Sequence, residues 1–98
     1  MIYVIATIKT MPGQAKALIS GARTCIDATR REDGLISYDY VQDTENPDIV
    51  MVIERWASRE KLAAHFLVPH LAAWREARRP LVSAVKVEII HAGEVEVL

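Results

Sequence analysis

The sequence predicts a two-layer α+β domain, with helices packed on one face of a four-stranded antiparallel sheet. Three observations carry this prediction. Segments with strand character and segments of helical period follow one another in the order β-α-β-β-α-β. The chain has 98 residues, which is room for a single domain. Hydrophobic residues make up 51% and charged residues 26%, the balance of a folded globular chain.

Ile2 to Thr10 reads as a strand, rich in β-branched residues and free of Gly and Pro. Met11-Pro12-Gly13 breaks it. From Gln14 to about Arg31 the period is helical: Leu18, Ala22, Cys25, Ile26 and Thr29 recur at spacings of three and four. Glu32-Asp33-Gly34 ends that helix, with Gly34 suited to a left-handed C′ position. Leu35 to Asp43 and Ile49 to Trp56 are strands joined by the turn Thr44-Glu45-Asn46-Pro47-Asp48, so they form a hairpin. Ser58 is an N-cap, with Glu60 near the positive end of the helix dipole. The helix it opens carries Leu62, Ala63 and Phe66 and runs out near Val68-Pro69. A further helix spans His70 to Arg79 and stops at Pro80. Ser83 to His91 is the fourth strand, and Glu94 to Leu98 is expected to add a short terminal one. This order is the split-βαβ, ferredoxin-like arrangement.

The strands also point to a partner. Ile2, Val4, Ala6 and Ile8 fall on one side of the first strand and Tyr3, Ile5 and Thr7 on the other, so neither side is clearly polar. A sheet with one wet face alternates. Both faces are therefore expected to be covered, and the helices suffice for one. A second copy, packed sheet against sheet as a homodimer, would cover the rest.

Several classes are disfavoured. Formal net charge is -1, with no basic stripe for nucleic acid. Arg75, Arg78 and Arg79 read as a solvated helix face. No apolar stretch is long enough to span a bilayer, and Met1-Ile2-Tyr3-Val4-Ile5 lacks the features of a signal peptide. Cys25 is the only cysteine, which fits a reducing cytoplasm and a core thiol. The four glycines stand isolated, so no phosphate-cradling loop and no seat for a flavin or nicotinamide is visible, and no cofactor is expected.

The chemistry-bearing residues gather where the third strand hands over to a helix: Glu54, Trp56, then His65 and His70. Such junctions often frame a pocket on a rigid scaffold. Glu54 shares the strand parity of Trp56 and so points to the same side. It is placed to orient His65 or to pair with Arg55 or Arg59. No metal is expected. His65 and His70 are five apart with Pro69 between them, and no Cys or carboxylate stands at helical spacing to complete a set.

Four segments carry a family resemblance: a strand leading into Lys9-Thr10-Met11-Pro12-Gly13; Arg31 to Tyr38, with a Gly followed by a strand Tyr; Glu54-Arg55-Trp56; and Ser58-Arg59-Glu60-Lys61-Leu62 followed by Ala64-His65 and Pro69-His70. Together, from about Ile2 to Leu81, they resemble the antibiotic biosynthesis monooxygenase (ABM) domain family, its quinol-monooxygenase-like members in particular. The resemblance implies a dimeric α+β barrel with a small-molecule pocket between sheet and helices. It implies oxidation of a quinol or polyphenol by O2 without metal or flavin. In that reading His65 is the base, and Trp56 and Tyr38 are pocket walls, with the Tyr38 hydroxyl free to meet a substrate oxygen. His70, Glu54 and Thr7 are further substrate contacts. Haem-degrading members carry an Asn on the first strand; Thr7 stands there in this chain, which weighs against haem breakdown although Trp56 and His65 remain. The same pocket would also suit an isomerase of a small oxygenated metabolite, or a non-catalytic dimer that binds a small ligand.

Overall fold

The computed structural model describes all 98 residues. Strands Ile2–Thr10 (β1), Leu35–Gln42 (β2), Ile49–Trp56 (β3) and Val82–His91 (β4) form one antiparallel sheet in the order β2-β3-β1-β4. Helices Ala15–Gly21 (α1) and Arg23–Thr29 (α2) link β1 to β2. Helices Arg59–His65 (α3) and Pro69–Arg78 (α4), then a 3-10 turn at Arg79–Leu81, link β3 to β4. The expected ferredoxin-like architecture is the one observed, with differences at three places.

The helix expected over Gln14 to Arg31 is two segments separated at Ala22. Hydrogen bonds still run from Ala22 N to Leu18 O (3.0 Å) and from Ile26 N to Ala22 O (2.8 Å), so the segments continue one another. The slackening falls at Gly21, where a Cβ would lie 3.1 Å from Trp74 ring atoms of the neighbouring helix. Glycine permits that approach and is a weak helix former. The fourth helix begins at Pro69 rather than His70. Proline lacks the N–H that is orphaned at N1 in any case, and extended Val68 precedes it as N-cap. The strand expected over Glu94 to Leu98 does not form. The edge ladder ends where Ala92 N bonds Met1 O (3.2 Å), just before Gly93.

Alternate residues of β1 (Ile2, Val4, Ala6, Ile8, Thr10) are buried under the helices, together with Val50, Val52, Glu54 and Trp56 of β3. Leu18, Ala22, Cys25, Ile26, Leu71 and Trp74 pack on them from the helices. A satellite cluster of Ile2, Val4, Trp56 and Leu62 seals one end. The helices do not reach across to β4. Val85 and Val87 share the helix-side face with Ile8 and Ala6 yet are 42% and 47% exposed.

The opposite face carries no helix. Its centre is Ile5 between Ile53 and Glu88, and Thr7 between Met51 and Lys86, with exposed Val41 and Ile90 towards the two edges. It mixes the apolar side chains expected from β1 and β3 with Lys86 and Glu88 of β4, which the alternation of those two strands does not show.

Candidate functional site

Strand alternation and two turns assemble the site. Glu54 and Trp56 lie two residues apart on β3, so both side chains point to the helices. The Ser58 hydroxyl accepts from Lys61 N (3.2 Å) and starts α3 directly after the strand. Leu62 and His65 then fall on the buried side of that helix. The chain restarts at Pro69 and sets His70 one turn beyond His65, at the head of α4. The loop between α2 and β2 closes over this junction. Gly34 adopts φ +84, and a Cβ there would overlap the Lys61 side chain, which also pairs with Asp33.

That loop delivers a carboxylate that sequence reasoning missed. Glu32 Oε2 lies 2.8 Å from His65 Nδ1 and 2.8 Å from His70 Nε2. A carboxylate oxygen can only accept, so each imidazole donates to it. His65 is thereby held in the tautomer with its proton on Nδ1 and a lone pair on Nε2. Every sealed side-chain nitrogen or oxygen in the protein has a partner. His65 Nε2 has none within the chain, so it is not sealed, and the His65 ring lines the hollow. The ring is 2% exposed and is packed between aromatics, with Trp56 at 4.8 Å (36°) and Tyr38 edge-on at 5.8 Å (67°).

The hollow lies between sheet and helices. Its walls include Tyr38, Tyr40, Glu54, His65, Phe66 and Arg75, and its volume is about 40 Å³, room for a few waters. Its polar groups are perturbed in distinct directions. Burial pushes the Glu54 carboxyl up to about 7; a 2.9 Å bond from Trp56 Nε1 opposes this, the Glu32 charge adds to it, and Arg75 opposes it. Burial holds the Tyr38 phenol well above its ordinary range, so it is a neutral O–H donor at any relevant pH. Burial pushes the His65 imidazole below its ordinary value, with the Glu32 hydrogen bond and charge pulling the other way. A larger groove of about 440 Å³ runs between α2 and α4, lined by Cys25, His70, Trp74 and small residues. It has no carboxylate, and its one imidazole, His70, is bonded through Nε2 to Glu32, so the proton chemistry belongs to the small hollow.

Of the expected site residues, the fold brings Tyr38, Glu54 and His65 together on one hollow. Trp56 is fully buried behind His65 and touches the site through Glu54 and the imidazole rather than as a wall. His70 sits outside, 26% exposed, and reaches the site through Glu32. Thr7 pairs with Met51 and Lys86 on the opposite face of the sheet from Glu54, and does not line the hollow. Glu54 does not orient His65, since Glu32 does so, and Arg55 bonds Ser37 Oγ instead (2.7 Å). Arg75 and Arg78, read from sequence as a solvated helix face, form part of the rim. A metal-ligand set was not expected for want of a carboxylate at helical spacing. The carboxylate comes from across the fold, and the ligand atoms of Glu32, His65 and His70 all lie within 4.8 Å of one another.

Comparison with known proteins places these features in context. The family model for "Antibiotic biosynthesis monooxygenase" matches residues 1–77. Probable quinol monooxygenase YgiN of Escherichia coli K12 is 30% identical over 103 residues, which cover 95% of this chain and 99% of that protein. The structure of Rv0793 from Mycobacterium tuberculosis superposes with a TM-score of 0.85 at 28% identity, covering 96% of each chain. A crystal structure from Deinococcus radiodurans shares the fold at a TM-score of 0.91, 24% identity, and 100% and 98% coverage of the two chains.

Proposed function

This chain belongs to the antibiotic biosynthesis monooxygenase family, and from that premise we propose that it oxidises a small quinol-type aromatic with O2, using no cofactor. The observation that carries this reading is His65, whose Nδ1 is anchored by Glu32 while its Nε2 is left without a partner beside a partly open aromatic hollow. Likeness to a probable quinol monooxygenase supports the substrate class.

The chemistry follows from what such a reaction demands. The substrate supplies all the electrons. One quinol and one O2 give one hydroxyquinone and one water, so a ring carbon gains an oxygen and two hydrogens leave as water. An aromatic alcohol gives up electrons far more readily as its anion, so the first task is to take a proton. His65 Nε2 accepts it, and the imidazolium that forms is stabilised by the Glu32 carboxylate through Nδ1–H, the same base-plus-orienter logic that serves other histidine bases. The Tyr38 O–H donates to an oxygen of the bound ring. Glu54, with a carboxyl that titrates at about 7, stands ready to return a proton when water is released. A bound ring that fills the hollow displaces its water from around the reactive intermediates.

The working form in this proposal is a homodimer, sheet face against sheet face. The bare face around Ile5, Met51 and Ile53 supports it, as does the small core of a 98-residue chain. A second reading, isomerisation of a small oxygenated metabolite, is favoured by one observation, the presence of two proton-transfer groups, Glu54 and His65, on one hollow.

The test is oxygen uptake with a panel of hydroquinones. Uptake should fall by about 10²- to 10⁴-fold in His65→Ala, the range of a lost general base. Unchanged uptake in that variant would remove His65 as the base. Turnover of a substrate under strictly anaerobic conditions would replace the oxygenase reading with the isomerase.

A further inference from the structure

We propose that Glu32, His65 and His70 form a binding site for a divalent transition-metal ion, and that occupancy switches the His65 base off. The first half stands on geometry alone. The second rests on the reading of His65 as the base.

Three elements converge on the site. Glu32 comes from the α2–β2 loop, His65 from the end of α3 and His70 from the start of α4, and their ligand atoms lie within 4.8 Å of one another. Zinc bonds to imidazole nitrogen and carboxylate oxygen are both near 2.1 Å, so two ligands sharing an ion stand about 3.0 Å apart at a right angle and about 3.4 Å apart at a tetrahedral angle. Glu32 Oε2 already stands 2.8 Å from each imidazole nitrogen. Seating an ion therefore asks mainly that the His70 ring turn inward, and that ring, 26% exposed, has room to turn. The two accessible ligands provide an entry path from solvent, while His65 fixes the inner position.

The donor set selects the class of ion. Two imidazoles and one carboxylate suit zinc, iron, nickel, cobalt or copper; magnesium and calcium prefer all-oxygen shells. Three protein ligands leave an open position for water, so the site is of the exchangeable kind rather than a closed structural one.

Occupancy has a defined consequence for His65. Without an ion, Nδ1 carries the proton that Glu32 accepts, and Nε2 offers a lone pair to the hollow. An ion on Nδ1 takes that lone pair position, and the neutral ring then carries its proton on Nε2. The proton leaves Nδ1 and one is taken up at Nε2, so the ring's charge is unchanged. The nitrogen facing the hollow changes from acceptor to donor and can no longer remove a proton from a substrate.

The experiment titrates the metal-stripped protein with Co²⁺, followed by its visible absorption, and with Zn²⁺ by calorimetry. One ion should bind per chain. His70→Ala and Glu32→Gln should each weaken it by about tenfold or more, at least the loss usual for a supporting residue of a metal site. His70→Gln, checked by circular dichroism, serves if the alanine variant misfolds. Nitrogen NMR should show the His65 proton move from Nδ1 to Nε2 on Zn²⁺ addition. Zn²⁺ should suppress oxygen uptake, and the ion-binding variants should need about tenfold more of it. Absence of binding to the intact chain, or equal binding by the variants, overturns the site even if His65→Ala abolishes uptake. Binding with the tautomer change but undiminished uptake leaves the site standing, and overturns the switch and the base role of His65 together.

Discussion

Replacing Glu54 by Gln should make the protein more stable above neutral pH and flatten its stability against pH. The Glu54 side chain is 6% exposed, and its folded-state value of about 7 stands against an ordinary 4.5. The sign follows from proton counting. Below pH 4.5 the carboxyl is neutral in both folded and unfolded chains. Between 4.5 and about 7 the unfolded chain releases its proton while the folded chain keeps it, so stability falls as pH rises, and above about 7 the loss is complete. At 1.36 kcal/mol per pH unit the full loss is about 3 kcal/mol. A Gln at this position cannot ionise, and its amide oxygen can still accept from Trp56 Nε1. Glu54→Gln should therefore match the parent near pH 4.5 and exceed it by up to about 3 kcal/mol at pH 8. For a domain of this size that is on the order of 10 °C in Tm. Urea unfolding by far-UV circular dichroism, at fixed protein concentration from pH 4.5 to 8.5, measures it. Parallel curves for the two proteins would show that Glu54 ionises freely in the fold, and would refute the reasoning.

Two more outcomes follow from the backbone and from the bare face. Gly34→Ala should cost about 2 kcal/mol, because φ +84 disfavours a side chain and the new Cβ would displace Lys61 from Asp33; an unchanged urea midpoint would mean that the loop adapts. Ile53→Lys should convert a dimer to monomers in sedimentation equilibrium without loss of helix or strand signal, since Ile53 faces Asp39 and a lysine there is tolerated within one chain; sedimentation of the parent as a monomer at micromolar concentration would end the dimer proposal.

The parts of this protein that local pattern governs were legible in the letters. β1 reads correctly end to end because β-branched residues run from Ile2 to Thr10 without a breaker. Tyr38, Glu54 and Trp56 share the buried side because strand parity is a backbone property. Parity also speaks against Thr7, which falls with Tyr3 and Ile5 and away from Val4 and Ala6. Glu32 was of another kind. Next to Asp33 and Gly34 it reads as the polar end of a helix, and its role exists because a left-handed turn at Gly34 carries it to two histidines 33 and 38 residues further along. The break at Gly21 likewise depends on an indole from a distant helix. Arg75 lies on the exposed face of α4 and Arg78 is half-buried there, but the period of that helix does not show that β4 lies uncovered beside them, which makes both part of the rim.

That uncovered strand bears on how a ring could enter. An apolar cavity that takes up benzene is on the order of 150 Å³, and the hollow is about 40 Å³. A quinol therefore has to displace a wall. The floor is a poor candidate. Val4, Ala6 and Val52 belong to paired central strands, and moving them breaks ladder hydrogen bonds as well as core packing. The helix side yields more readily. Phe66 is half-buried at the edge of both hydrophobic clusters, and its outer side meets only the guanidinium groups of Arg59 and Arg75, 5.8 and 6.0 Å from its ring, contacts worth about 0.5–1 kcal/mol each at exposed sites. Beside it, Val85 and Val87 already present apolar surface to solvent. Entry along β4, with Phe66 and Arg75 displaced, leaves the floor and the Glu32–His65 pair undisturbed. A second copy packed on the far face would stiffen the same floor. Such a dimer would thus serve the site without touching it, by making the sheet the fixed side of a hollow whose other side must give way.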